Sequence, residues 1–246
     1  MTRTYRFKES LVEGLIRSRP NRFIMQVELE GKMLRCHCPC TGRIGTLRFE
    51  DIPCLMSKAS GEGRKTPYTV EAISLDPPEN RNKSWVGINQ VDANRYVEFY
   101  LREEALDGMV SNGRNLRREV PLGRSRMDFL VDDRTYVEVK TLLLDLPCEG
   151  HPKCTGPPKS LTDFQRLIDH FKELSKALGS GRRAILLLCY LYPAKPFEVP
   201  EPDRKTIRIQ RAARAAFKAG VEHWQIDLKV DRKGVALLDY FTLDLF

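Results

Sequence analysis

Three charged side chains stand in the stretch SRMDFLVDDRTYVEVK, residues 125–140, where the surrounding pattern is that of buried strands. Asp128 abuts the apolar run Phe129-Leu130-Val131, and Glu138 and Lys140 interrupt the run from Tyr136 to Leu144. Residues two apart on a strand face the same way, so Glu138 and Lys140 share one face while Val137, Val139 and Thr141 take the other. A hairpin turning at Asp132-Asp133-Arg134-Thr135 sets Asp128 beside them. Burying such a cluster is costly unless a cation or partner charge compensates it, and two close carboxylates repel until one takes a proton or a metal intervenes. A hard divalent cation, Mg²⁺ or Mn²⁺, meets that need with one or two carboxylates, water and a substrate phosphate. Such an ion lowers the pKa of bound water, and a lysine on the same face can orient that water or neutralise developing charge. The chemistry implied is phosphodiester hydrolysis, with Asp128, Glu138 and Lys140 as the catalytic set and Asp128 and Glu138 as metal ligands.

The spacing Asp-x9-Glu-x-Lys matches the nuclease signature PD-(D/E)xK. A Glu-x-Lys pair is also common on a solvated strand face, so the surrounding elements matter. The segment VDANRYVEFYLREEALDGM carries apolar residues near helical spacing, with Asp92 as expected N-cap and Gly108 as expected stop. Two strands follow, RMDFLVDD and TYVEVKTLLL, and then a helix over SLTDFQRLIDHFKELSKALGSG, capped by Ser160 or Thr162 and ended by Gly179. RRAILLLCYLY reads as a strand buried on both faces, DRKTIRIQRAARAAFKAG as a third helix, and VEHWQIDLKV and VALLDYFTLDLF as closing strands. This helix–strand–strand–helix–strand order is the core of that nuclease fold. The first third has no clear helix. RFIMQVELEGKMLRCHC reads as a hairpin about Glu30-Gly31, and PCLMSKA, PYTVEAISL and SWVGIN read as further short strands, the pattern of a small barrel. The expected fold is α/β (α+β), with a barrel over residues 1–82 and a mixed-sheet domain over residues 83–246, divided near the Pro-rich stretch 74–85.

At 246 residues, 41% hydrophobic and 30% charged, the chain has the make-up of a folded globular protein. Its longest apolar runs are too short to span a bilayer and its first residues carry no hydrophobic signal core, so a cytoplasmic location is the default expectation. Seven cysteines without such a signal argue against a disulfide framework. Cys36, Cys38 and Cys40 alternate in CHCPCTG, but a C-x-C-x-C run cannot supply tetrahedral zinc unaided. Cys148, His151 and Cys154 in CEGHPKC leave a disulfide or metal clip open beside an irregular loop. The net charge of +8 favours a polyanionic partner. The densest excess, GRNLRREVPLGRSR, lies directly before Asp128; a solvated loop and a polyanion site explain it equally. Neither a P-loop nor a G-x-S-x-G element is present.

Taken together, NRFIMQVELEG, HCPCTGRI, RKTPYTVEAI, SWVGINQVDANRYVEFYL, LGRSRMDFLV, TYVEVKTLLL, RRAILLLCY and FKAGVEHW resemble the sugar fermentation stimulation protein A (SfsA) family over nearly the whole chain. That resemblance implies an OB-fold domain followed by a PD-(D/E)xK nuclease-like domain, and nucleic-acid binding. It carries the family's motif residues onto Asp128, Glu138 and Lys140, and an acidic helix position onto Glu98, a further candidate metal ligand. Two departures stand out. Cys40 replaces the usual Asn of HCPNTG, and the family's TERGQKH segment is altered, so that His170 pairs with the family His, and Gln165 with its Glu or its Gln. Gln165 is then the helix residue expected to face the metal. The expected partners are DNA or RNA, single-stranded for an OB surface, with a homodimer left open and no membrane. Candidate contacts on the barrel are Arg22, Phe23, Arg35, His37, Arg43, Arg64, Lys65 and Tyr68, joined by Arg124 and Arg126 before the acidic pair. A non-catalytic DNA-binding regulator built on a nuclease scaffold is the competing reading.

Overall fold

The computed structural model describes residues 3–40, 42–59, 63–111, 115–143, 146, 152–154, 164–202, 204 and 206–246. Strands β2 (Val12–Asn21), β3 (Ile24–Leu29), β4 (Lys32–His37), β5 (Ile52–Lys58) and β6 (Tyr68–Ile73) form one sheet. Its order is β4-β3-β2-β5-β6 with β7 (Val86–Gly87) appended, and a parallel His37–Thr69 bridge joins β4 to β6 and closes the barrel. This closed five-stranded barrel is OB-like. The β3–β4 turn is local chemistry: Glu30 and Gly31 both take positive φ (50° and 75°), the requirement of a two-residue type I′ hairpin.

Asn89 then starts helix α1 (Gln90–Arg102). The cap is Asn89 and not Asp92: its side chain accepts from the Asp92 amide, so Asp92 supplies acidic charge inside the first turn. The helix also stops short of Gly108. Glu104 takes φ 52°, a left-handed conformation that ends the helical run, and Leu106, Met109 and Val110 are buried beyond it.

The second sheet has seven strands in the order β1-β13-β12-β11-β10-β9-β8. Its members after α1 are β8 (Leu116–Leu122), β9 (Ser125–Val131), β10 (Thr135–Thr141), β11 (Arg183–Tyr190), β12 (Glu222–Val230) and β13 (Gly234–Thr242). Strands β10, β11 and β12 run parallel, with helices α2 (Phe164–Leu178) and α3 (Ile207–Ala219) as the crossovers. Residues counted with the barrel from the sequence, Tyr5–Arg6, form β1 and pair with β13 at the far edge of this sheet. The arginine-rich stretch before Asp128 is the edge strand β8, paired antiparallel with β9. The expected caps Ser160 and Thr162, and Cys148 and His151, lie outside the described residues.

One face of the large sheet packs on α1, through Val97, Tyr100, Phe129, Val137 and Ile185. The other face packs on α2 and α3 and runs on without a break into the barrel, joining Leu186, Phe171 and Leu174 to Ile16, Met25 and Val70. Close approach seals the junction: a Cβ at Gly87 would lie 2.5 Å from the Leu191 Cβ.

His223, at 2% exposure, sits among the rings of Phe171, Phe217 and Phe246, with neither ring nitrogen bonded. Burial pushes its pKa down to about 4. Its folded-state value lies below the unfolded one, so the unfolded chain binds the extra proton first and stability falls as pH drops from about 6.5 to 4. Between about pH 7 and pH 5 this group alone removes roughly 2 kcal/mol. The His223→Leu variant should lose that part of the pH dependence. Urea unfolding at the two pH values measures it, and equal slopes in variant and wild type would refute the assignment.

Candidate active site

The site lies where β9 leaves β10. Their ladder pairs Thr135 with Val131, Tyr136 with Leu130 and Val137 with Phe129, and ends there. Extending the register one step sets Asp128 opposite Glu138. In place of a ladder bond, Asp128 Oδ2 accepts from the Val139 amide at 2.7 Å. Meanwhile the β8–β9 hairpin rolls over. Leu116, Phe129 and Val131 enter the α1-side core, whereas Val120, Leu122 and Met127 enter the other. Regular alternation would keep each strand's set on one face. The roll falls at Glu119, which takes φ 51° opposite Asp128. Asp128 is thereby turned so that its Oδ1 also accepts from Asn94 Nδ2 of α1 at 2.7 Å.

Along β10 the expected alternation holds. Val137 and Val139 enter the α1-side core, and Glu138 lies on the opposite side, where His170 of α2 meets it. Glu138 is 2% exposed. Its Oε1 accepts from Lys140 Nζ and contacts His170 Nδ1, while its Oε2 is buried with no partner. Burial works to raise the Glu138 pKa, but His170 and Lys140 outweigh it and hold the carboxylate below its ordinary value. Asp128 goes the other way: burial and then the Glu138 charge push it up to about 6, against the pull of the Val139 amide, Lys140 and Asn94. Opposite shifts in two neighbouring carboxylates mark a site where protonation is shared out by environment.

The remaining candidates are placed as follows. Glu98 ion-pairs through Oε1 with Arg102 (2.8 Å) and through Oε2 with Arg118 (3.0 Å), so two guanidinium groups already compensate its charge. Gln165 is exposed and donates to Asp169 Oδ1 at 3.0 Å, away from Glu138. His170, five residues further along α2, is the helix side chain that reaches the cluster. Asn94 was not singled out from the sequence; its position one helical turn before Glu98 was the available signal. No group of three or more His, Cys, Asp or Glu side chains arranged to hold a metal occurs among the described residues. The donor set is thus two carboxylates, one with an orphaned oxygen, which suits a hard cation that keeps water and takes phosphate as further ligands.

On the barrel, Arg22 stacks over Phe23 (4.7 Å) in the β2–β3 turn, and the Phe23 carbonyl accepts from Cys38 at the end of β4. His37 faces Ile24 on one side and Thr69, next to Tyr68, on the other. Burial and then the Arg64 charge lower its pKa, so Arg64 lies close by. Arg35 is exposed on β4, and Lys65 is exposed in the β5–β6 loop with Arg64. Arg43 is exposed in the segment after β4, outside this group, and Arg124 and Arg126 are exposed on the β8–β9 hairpin. Cys36 and Cys40 are buried thiols whose pKa burial raises to about 11.

Family models match the chain in two parts: the SfsA N-terminal OB domain over residues 18–88 and the sugar fermentation stimulation protein RE domain over residues 92–234. The chain belongs to the sugar fermentation stimulation protein family. It is 32% identical over 235 residues to a sugar fermentation stimulation protein homolog of Synechococcus sp. (strain JA-2-3B'a(2-13)), covering 94% of this chain and 92% of the relative. A homolog from Gloeobacter violaceus is 36% identical over 183 residues, 72% of each chain. The fold matches that of Pyrococcus furiosus SfsA, solved in complex with Ca²⁺, with a TM-score of 0.70 over 98% of both chains at 20% identity.

The raised Asp128 pKa is measurable directly. In metal-free protein, carboxyl NMR should show Asp128 titrating near pH 6. Asn94→Ala removes a hydrogen bond that favours the carboxylate, so it should move the midpoint further up. A midpoint in the ordinary aspartate range would contradict the burial described.

Proposed function

We propose that this protein is a divalent-cation-dependent nuclease that hydrolyses phosphodiester bonds in nucleic acid gripped by its OB barrel. The observation that carries the reading is Glu138 Oε2, a buried carboxylate oxygen without a partner, electrostatically coupled to Asp128 and flanked by Lys140 and His170. Asp128 and Glu138 would hold Mg²⁺ or Mn²⁺, whose chemistry is to lower the pKa of bound water and to neutralise phosphate charge. The Ca²⁺ in the Pyrococcus furiosus structure is a hard cation of the same oxygen-seeking class.

The chain's own residues do the rest. Val139 N–H and Asn94 hold the Asp128 carboxylate in one orientation. His170 fixes Glu138 Oε1 and so leaves Oε2 as the free donor. Lys140, partly exposed beside Glu138, is placed to orient an attacking water or to stabilise phosphate charge in the transition state. On the barrel, oligonucleotide-binding OB folds use the face of their second and third strands and the loops after the first and fourth. Those elements here are β3–β4 with Arg35 and His37, the turn with Arg22 and Phe23, and the loop with Arg64 and Lys65 that leads into Tyr68. Cations interleaved with Phe23, His37 and Tyr68 suit a single strand, whose bases stack while its phosphates pair.

A second reading has its own support. Glu98 is tied up in ion pairs and Gln165 faces solvent, which leaves two carboxylates where the sequence suggested more. A non-catalytic nucleic-acid-binding regulator on the same scaffold fits that reduced set.

Hydrolysis of labelled single- and double-stranded DNA and RNA with Mg²⁺ or Mn²⁺ separates the two. The expected result is metal-dependent cleavage lowered by at least about 10²-fold in both Lys140→Ala and Asp128→Asn. Cleavage that survives both changes would remove this site from the mechanism. Tight binding without cleavage in either metal would establish the second reading.

A further inference from the structure

Beside the acidic cluster, a solvent-open cleft of about 680 Å³ separates the β8–β9 hairpin from α2. One wall is the hairpin, with Arg124, Ser125 and Arg126. The other is a polar stripe on α2, in which Arg166, Asp169, His170, Glu173 and Lys176 recur every three or four residues. The two walls are pressed together at Gly123, which has φ 57° and where any Cβ would clash with the Glu173 carboxylate.

Charge in the cleft is unbalanced. Lys176 is paired with Glu173 at 2.9 Å, and Lys172, also on the wall, lies 3.9 Å from Asp169. That accounts for both acids. Arg124, Arg126 and Arg166 are left without an ion-pair partner among the described residues, and Arg124, Arg126 and Arg166 are all exposed. Three guanidinium groups around a concave site of ligand size suit the bidentate recognition of phosphate. The wall residue His170 touches Glu138 through Nδ1, so the cleft and the acidic cluster share a side chain.

We infer that this cleft is a phosphate track that holds the nucleic-acid strand immediately beside the bond to be cut, with Arg124, Arg126 and Arg166 on consecutive phosphates. The inference rests on the proposed nucleic-acid reading and adds a second grip, separate from the barrel. Barrel and cleft would then hold one strand at two places, the second of them next to Glu138 through His170, and two grips limit the orientations open to a scissile phosphate.

Fluorescence anisotropy with 5′-labelled oligothymidylate in EDTA tests this without any cleavage. Two variants are compared with wild type: Arg124→Gln/Arg126→Gln/Arg166→Gln in the cleft and Arg22→Gln/Arg35→Gln on the barrel. Each single-strand phosphate contact contributes about 0.7 to the slope of log affinity against log salt. The cleft variant should therefore bind about tenfold or more weakly, with a slope shallower by roughly 2. Lysine at the same three positions should restore most of the slope. All the substituted arginines are exposed, and an unchanged melting temperature checks the fold. If the cleft variant keeps wild-type affinity and slope while the barrel variant weakens, the track is refuted and the nucleic-acid reading stands. An affinity loss with no change in slope also refutes it, since phosphates would not be the ligand. Wild-type protein that fails to bind the probe at low salt overturns the broader reading along with the track.

Discussion

A glutamate buried to 2% exposure in the middle of a sheet governs the architecture around it. Left alone, Glu138 would take up a proton or open the fold to water. Lys140 on its own strand and His170 on α2 hold it ionised instead. That requirement ties the position of α2 to the chemistry of β10: the helix covers the sheet with its apolar stripe and supplies one imidazole to the buried Glu138. The compensation is incomplete, since Oε2 has no partner, and this residual demand is what a bound cation would meet under the proposed function.

Asp128 solves a different problem. It stands where β9 parts from β10, and its carboxylate takes the Val139 amide that the ladder leaves open. Asn94 anchors the other oxygen from the α1 side. The two carboxylates therefore approach from opposite layers, one backed by α1 and one by α2, and their pKa values move in opposite directions. The barrel is fixed relative to this point by a shared apolar core, by the contact of Gly87 with Leu191, and by Glu13, which pairs with both Lys83 and Arg232. The β3–β4 face of the barrel is therefore held in a defined geometry relative to the large sheet.

How much could be read in advance differs element by element. The hairpin over Ile24–His37, the strands β9 to β13 and the helices α2 and α3 carried strong local signals: alternation about a two-residue turn, continuous apolar runs, a helical stripe ended by glycine. Gly220 takes φ 104° at the end of α3, as such a stop requires. Strand β8 was hidden because an edge strand buries little, and its run of consecutive exposed residues Arg117, Arg118 and Glu119 looks like a loop. Strand β1 has two residues and exists only through a partner more than two hundred positions away. The cap of α1 was misplaced because Asn89 also donates to Glu71 of the barrel, a contact with no local signature.

Sequence order alone carried the site's membership on β10, since a strand alternates with period two and Glu138 and Lys140 must share a side. It also carried the ten-residue spacing to Asp128 and the family motifs. The pairing of those residues with the rest of the molecule was a matter of tertiary structure. Helical periodicity made Gln165 and His170 equally polar members of α2; only the docking angle of that helix turns His170 inward and leaves Gln165 in solvent. Likewise nothing local distinguishes Asn94 from Glu98, one turn apart. The roll of the β8–β9 hairpin brings Asp128 to the first, and Arg118 to the second. Which of two neighbouring polar groups meets a buried carboxylate depends on the packing of distant segments, and periodicity along the chain does not encode it.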